Sequence, residues 1–125
     1  MANSPLTGAG QVKMKTLEDA LAHMGLLHSI VEQMALALKT QQSLQPFGAR
    51  LRRAAVPVRD LLKGQFGLIA DQVTQLTLIA TRGGSDRMKV NALREGVASI
   101  KTSIEMTQRK VAEKYAEDVG ETPGD

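Results

Sequence analysis

The chain has 125 residues, a formal charge of +3, three aromatic residues and no cysteine. This length allows one domain whose core needs neither a disulfide nor a metal, and the lack of cysteine excludes thiolate metal sites and cysteine nucleophiles. So few aromatic residues favour an aliphatic core in a helical fold over a β-sandwich or barrel. There is no apolar run of signal-peptide or membrane-span length, so we expect a soluble, cytoplasmic protein.

The first helix is predicted over 16–39. Residues 1–15 are mostly small or polar and predict a disordered arm, because they bury too little apolar area to offset the entropy of ordering. Thr16 then supplies an N-cap hydroxyl, and Glu18 and Asp19 place carboxylates in the first turn, where the helix dipole favours them. Apolar residues recur every three or four positions from there on.

The stretch 57–82 is predicted to be the central helix of a bundle. Its apolar residues step by four and three positions and so share one side of a helix: Leu62, Phe66, Ile69, Val73, Leu76 and Ala80. Four more widen this apolar sector, as expected for a helix with two neighbours: Val58, Leu61, Leu68 and Ile79. Gly64 and Gly67 lie within this helix, and we expect a close backbone approach there.

Pro57 makes the connection to the preceding segment ambiguous. The segment 49–56 is helical by propensity, but proline lacks a backbone donor and its ring clashes with the carbonyl of Arg53 in a straight helix. One alternative is a single helix over 49–82 that is kinked at Pro57. The other is a short helix followed by a second one that has Pro57 at its first position.

The third helix is predicted over 86–119, after a helical hairpin at Gly83, Gly84 and Ser85. Its apolar seam is coiled-coil-like and consists of Val90, Leu93, Val97, Ile100, Ile104, Thr107 and Val111. This helix outlasts the others by about two turns. Val111 and Tyr115 are therefore left without partners in one subunit, which predicts self-association through them.

Together these elements predict an all-α fold: an elongated antiparallel bundle of three long helices, or four if the chain breaks at Pro57. The predicted organisation is a disordered arm at 1–15, the bundle at 16–119 and a disordered acidic tail at 120–125.

The charges are unevenly distributed. Six cations and one acid lie within 39–63, whereas the last ten residues carry four acids and no cation. Five of these cations flank an apolar strip and are the candidate binding residues: Arg50, Arg52, Arg53, Arg59 and Lys63. Such a surface binds nucleic acid, an anionic membrane or an acidic protein partner, including the acidic tail of a neighbouring subunit. A solvated helix edge without any partner is the remaining alternative.

Sites for catalysis or metal binding are not predicted. His23 and His28 are five residues apart, which turns them about 140° from each other on a helix, so they do not converge on a metal. No carboxylate pair in an apolar setting, phosphate-binding loop or nucleophile elbow occurs. We therefore predict no catalytic, metal-binding or cofactor-binding residue and no enzymatic activity.

His28 falls on the apolar stripe of the first helix, and we expect a buried or boundary imidazole. A helical bundle with one histidine on a helix is similar to a histidine phosphotransfer module, and that resemblance implies phosphotransfer through His28. Such modules expose the histidine and carry a lysine and small residues after it. Here the sequence continues with Ser29, Ile30, Val31 and Glu32.

The sequence therefore predicts a non-enzymatic interaction module, an adaptor or assembly scaffold that binds a protein partner and forms a homo-oligomer. The first alternative is an anion-binding protein that uses its basic helix edge on nucleic acid or a membrane surface. The second alternative is a histidine phosphotransfer module.

Overall fold

The computed structural model describes residues 8–116, and four α-helices make up most of this range. Their bounds are Gly8–Lys39 (α1), Phe47–Leu62 (α2), Gly67–Thr81 (α3) and Asp86–Lys114 (α4). The predicted all-α class is confirmed.

Each helix packs against the next one along the chain, and α4 completes the ring by packing against α1. The two diagonal pairs make no comparable approach within residues 8–116. Neighbouring helices run antiparallel, since the start of α1 lies beside the α2–α3 connection and the end of α4. There the Nζ of Lys13 donates to the Oε1 of Gln65 at 2.7 Å and lies 5.9 Å from the centre of the Tyr115 ring.

The core is aliphatic, as the composition predicts. Its largest fully buried side chains come from all four helices: Leu17, Met24, Leu27, Met34, Leu51, Leu62, Leu76, Leu93, Ile100 and Ile104. The three aromatic residues are half-buried and pack against the margin of this core. No polar or charged residue of the described chain is buried. Burial of apolar area is therefore the main force that holds the helices together.

The first helix begins at Gly8, so the prediction of a disordered arm over 1–15 is wrong for residues 8–15. Residues 1–7 lie outside the described range. Met14 packs against the core in this early part of α1. Thr16 is not an N-cap, because its hydroxyl donates to the backbone carbonyl of Val12, one turn earlier in the same helix, at 3.1 Å.

The early start of α1 also changes the interpretation of the end of α4. Val111 is buried and Tyr115 is half-buried against the core, so the expectation that both lack partners within one subunit is wrong. The first two turns of α1 supply the missing contacts, including that of Lys13 with the Tyr115 ring. Helix α4 ends at Lys114, short of the predicted end. Residues 117–119 and the predicted tail at 120–125 lie outside the described residues.

Pro57 neither breaks the chain nor starts a helix, because it lies inside α2. The break falls instead at residues 63–66, within the predicted central helix 57–82, and this gives four helices. Gly64 lies in this break and Gly67 begins α3, and a Cβ atom at either position would meet nothing within 4 Å. The close approach expected at these glycines is therefore absent.

A close approach does occur between α3 and α4. A Cβ atom at Gly96 would lie 2.6 Å from the Cδ1 of Leu76, closer than real Cβ contacts allow. Glycine at this position therefore lets the Leu76 side chain lie directly against the backbone of α4.

The α3–α4 connection is the predicted helical hairpin. Gly84 has φ +113°, a conformation that side chains with a Cβ rarely adopt. Ser85 is the N-cap of α4, and its hydroxyl accepts a hydrogen bond from the backbone N–H of Met88 at 3.2 Å.

One ion pair links α1 to α4. The Nε and Nη2 atoms of Arg94 donate to the two carboxylate oxygens of Glu32 at 2.9 and 2.6 Å. This hydrogen bonding by Arg94 holds the pKa of Glu32 below its ordinary value, while desolvation opposes the shift.

We expect Glu32→Gln to lower the free energy of unfolding by less than about 1 kcal/mol, because the pair is exposed to solvent. A lowered folded-state pKa contributes stability above the ordinary glutamate pKa, and that contribution is lost as the pH falls through the folded value. Urea unfolding of the wild type and of Glu32→Gln, measured from neutral to acidic pH, checks this. The wild type should have the larger free energy of unfolding at neutral pH, and the two values should converge in acid. An equal difference at every pH would contradict this prediction.

Candidate partner-binding surface on α2

Helix α2 buries one narrow stripe, half-buries residues beside it such as Ala54 and Leu61, and exposes its outer side. The stripe consists of Leu51, Ala55, Val58 and Leu62, spaced by four and three residues, and it packs between α1 and α3. All five predicted binding cations fall outside this stripe. Arg50, Arg52, Arg53 and Lys63 are exposed, and Arg59 is half-buried.

Arg50 lies on the side of α2 that faces α1. Its Nη2 atom donates to the Oε1 of Gln33 on α1 at 3.1 Å, and its guanidinium carbon lies 5.2 Å from the centre of the Phe47 ring. These two contacts hold the charged group in place.

Arg59 and Lys63 share a single carboxylate. The Nη2 of Arg59 lies 3.2 Å from the Oδ1 of Asp60, and the Nζ of Lys63 lies 3.8 Å from the same oxygen. Both pairs are exposed to solvent. One carboxylate therefore offsets only half of the positive charge at this end of α2.

Arg52 and Arg53 have no hydrogen bond or ion pair with any residue of the described chain. At 100° per residue, Arg52 lies within about 40° of Arg59 and Lys63 around the helix axis, and Arg53 is turned a further 100° outward. Arg50 lies on the side of α2 toward α1, and Arg52 lies on the opposite edge of the exposed surface. Arg52 is therefore on the side of α2 toward α3. The structure thus spreads the five cations over the whole exposed side of α2.

Apolar side chains lie between these cations. Val56 is 37 % exposed, and Pro57 is also exposed. Neither was predicted as part of a binding surface, although Val56 lies one turn from Arg52 and Arg59, and Pro57 lies one turn from Arg53. We define the α2 cationic face as the five cations together with Val56 and Pro57.

Pro57 lies in the interior of α2 and supplies no backbone donor to the carbonyl of Arg53. We expect Pro57→Ala to raise the free energy of unfolding by about 1–3 kcal/mol, since alanine restores this hydrogen bond and removes the ring from the preceding turn. The greater freedom of the unfolded chain offsets part of this gain. Thermal unfolding of the two proteins checks the prediction, and a lower melting temperature for Pro57→Ala would show that the proline ring is itself needed.

The two histidines lie on exposed sides of α1. His23 is exposed beside a shallow depression between α1 and α2 that is also lined by Asp19 and Asp60. Within residues 8–116 no group of three or more histidine or acidic side chains could hold a metal. His28 is exposed, so the expectation of a buried or boundary imidazole is wrong.

Apolar surface also occurs on α3 and α4. Leu68 is 84 % exposed, although its position in the apolar sector predicted burial, and it lines a groove with Met106 and Lys110. The predicted seam residues Ile69, Val73 and Leu76 do face the core, and Leu68 lies about 120° around the helix from the middle of this buried side. The residues that line this groove belong to α3 and α4.

Comparisons of the chain with protein-family models, with curated proteins and with solved structures gave no significant match.

Proposed function

We propose that this protein is a non-enzymatic interaction module, an adaptor or scaffold subunit that binds an acidic protein segment on the α2 cationic face. The observation that carries the proposal is the pair Arg52 and Arg53, two exposed guanidinium groups without a partner in the described chain. They stand among three further cations on one short helix.

Carboxylates fit these groups. The planar guanidinium fork donates two parallel hydrogen bonds to one carboxylate, and arginine is enriched among the residues that contribute most to protein interfaces. Asp60 already accepts a hydrogen bond from Arg59 on the same helix, at 3.2 Å. A partner carboxylate at Arg52 or Arg53 would make the same kind of contact.

The apolar residues favour a protein partner over nucleic acid or lipid headgroups. Exposed ion pairs contribute little each, so a stable complex needs apolar contact as well, and Val56 and Pro57 offer it between the cations. A single-stranded nucleic acid would need aromatic side chains on which its bases stack. Phe47 is the aromatic residue of α2, and it is half-buried beneath Arg50.

The interior supports a binding role rather than catalysis. Within the described residues no polar or charged side chain is buried, so no acid or base sits in the apolar setting that shifts pKa values for proton transfer.

We further propose coiled-coil-like packing of α4, whose seam residues Val90, Leu93, Val97, Ile100, Ile104 and Val111 face the core.

A selection from a random twelve-residue peptide library on the immobilised protein tests the partner class. We expect enriched peptides to combine aspartate or glutamate with leucine, isoleucine or valine, and to be lost when Arg52, Arg53 and Arg59 are all replaced by glutamate. Equal enrichment on both proteins, or a selected set without acidic residues, would contradict the proposal.

A further inference from the structure

The outer side of α1 carries no charged side chain for about four turns. This α1 outer strip consists of exposed residues on one side of the helix: Ala22, Gly25, Leu26, Ser29, Gln33 and Leu36. Leu26 and Leu36 are 57 % and 62 % exposed. The outer sides of α2 and α4, in contrast, carry cations and acids along their whole length.

Helix α1 has more apolar side chains than the other three helices bury. By length and composition α1 could cross a membrane, which core helices of soluble proteins also can, yet only 33 % of its most apolar window is buried against the other helices. Contiguous exposed apolar residues mark contact surfaces in proteins. The α1 outer strip therefore lacks a covering surface in the single chain.

We propose that a second copy of this chain covers the α1 outer strip, with the two α1 helices antiparallel about a two-fold axis at Ser29. This arrangement places Ala22 opposite Leu36 of the second copy and Gly25 opposite its Gln33. Large side chains thus face small ones, as close packing between two helices requires. A Cβ atom at Gly25 would meet nothing within 4 Å, so the surface beside it is open to a longer side chain.

Charges at the two ends of the strip favour a second copy as the partner and an antiparallel orientation of the two α1 helices. Glu18 precedes the strip and Lys39 follows it, and neither has an ion-pair partner among residues 8–116 of its own subunit. In the antiparallel pair, Lys39 of each copy lies at the Glu18 and Asp19 end of the other. A parallel pair would bring like charges together. The strip is therefore complementary to itself, which is the requirement for a two-fold interface.

The symmetry has a consequence for the α2 cationic face. A two-fold axis perpendicular to both α1 helices keeps α2 on the same side of α1 in the two copies. The dimer would then present two cationic faces to one side, where a partner with two acidic segments gains by binding both. The two surfaces adjoin, because Gln33 of the strip accepts a hydrogen bond from Arg50 of the cationic face at 3.1 Å. Their tests replace different residues, so either proposal can fail without the other.

Light-scattering mass over a concentration series tests the dimer. We expect a wild-type dimer whose dissociation constant rises at least tenfold in Leu26→Glu and in Leu36→Glu. Leu68→Glu is the matched control, since this leucine is more exposed and lies on α3, diagonal to α1. Helical circular dichroism should stay unchanged in all three proteins, because the replaced side chains are exposed.

Two further variants test the antiparallel arrangement. The chain has no cysteine, so Ser29→Cys places a single thiol on the two-fold axis, and we expect a disulfide-linked dimer on mild oxidation. Ser99→Cys, at an exposed position of α4, should stay largely monomeric under the same treatment. Lys39→Glu should weaken the dimer, and adding Glu18→Lys to it should restore the affinity.

A wild-type mass that remains monomeric up to about 1 mM would overturn the proposal. So would a dimer that dissociates in Leu68→Glu but persists in Leu36→Glu. Binding of a monomer to phosphatidylglycerol vesicles, lost in Leu36→Glu, would assign the strip to a lipid surface instead. Loss of peptide binding at α2 would leave the dimer result standing.

Discussion

Leu76→Ala is expected to lower the free energy of unfolding by about 2–5 kcal/mol, as truncation of a fully buried leucine does when the cavity cannot collapse. Leu76 is 1 % exposed and lies against the backbone of α4 at Gly96. The Leu76 side chain fills the space between the two helices at this point, so its truncation leaves a cavity in the core. Urea unfolding followed by circular dichroism measures the effect.

Leu68→Ala is the matched control, because it removes the same atoms from the same helix. Leu68 is 84 % exposed, so we expect a change of no more than about 0.5 kcal/mol. Similar losses in the two variants would mean that α3 is rotated relative to the described packing, with Leu68 facing the core.

Reversal of three cations on α2 is expected to produce the largest change in binding. Arg52→Glu, Arg53→Glu and Arg59→Glu together should weaken binding of a twelve-residue peptide of Glu-Glu-Leu repeats by about 2–4 kcal/mol, or about 30- to 1000-fold. Each replacement removes an attraction and adds a repulsion of similar size. Fluorescence anisotropy of the labelled peptide at low salt provides the measurement, and the difference should shrink as salt screens the charges.

The control for this reversal changes the net charge equally on another surface. Arg87→Glu, Lys101→Glu and Arg109→Glu lie on α4, which is diagonal to α2. We expect this variant to bind the peptide within about threefold of the wild type. Equal losses in the two triple variants would show that net charge, and not the α2 cationic face, attracts the peptide.

The helical class and the core seam were predictable because both depend on periodicity within one segment. Of the seam residues predicted for the last helix, Val90, Leu93 and Ile104 are buried as expected. The hairpin at Gly84 and Ser85 was predictable for a similar reason, since capping and turn residues act on their immediate neighbours.

The features that sequence reasoning missed depend on packing between distant segments. The early start of α1 depends on contacts with the α2–α3 connection and the end of α4, such as that of Lys13 with Gln65. Pro57 was expected to disturb the helix, yet the buried stripe on either side keeps α2 continuous. The real break, at Gly64, looked like a helix interior because the apolar period continues across it.

The candidate binding surface was predicted in part. Positive charge within a short segment identified Arg50, Arg52, Arg53, Arg59 and Lys63 from composition alone. The sequence did not predict which of these cations lack partners. Such contacts join different helices, as that of Arg50 with Gln33 does. The exposed strip on α1 was also missed, because the sequence of one helix does not indicate which of its apolar side chains another helix covers.

The most direct test of the proposed function compares two ligands of equal charge on the wild-type protein. The Glu-Glu-Leu peptide and an oligothymidylate of the same net charge are titrated at 0.15 M salt, where long-range attraction is largely screened. We predict tighter binding of the peptide, because its leucines cover Val56 and Pro57 while its carboxylates pair with Arg52 and Arg53. Equal or tighter binding of the oligothymidylate would contradict this account and favour the function of a nucleic-acid-binding protein.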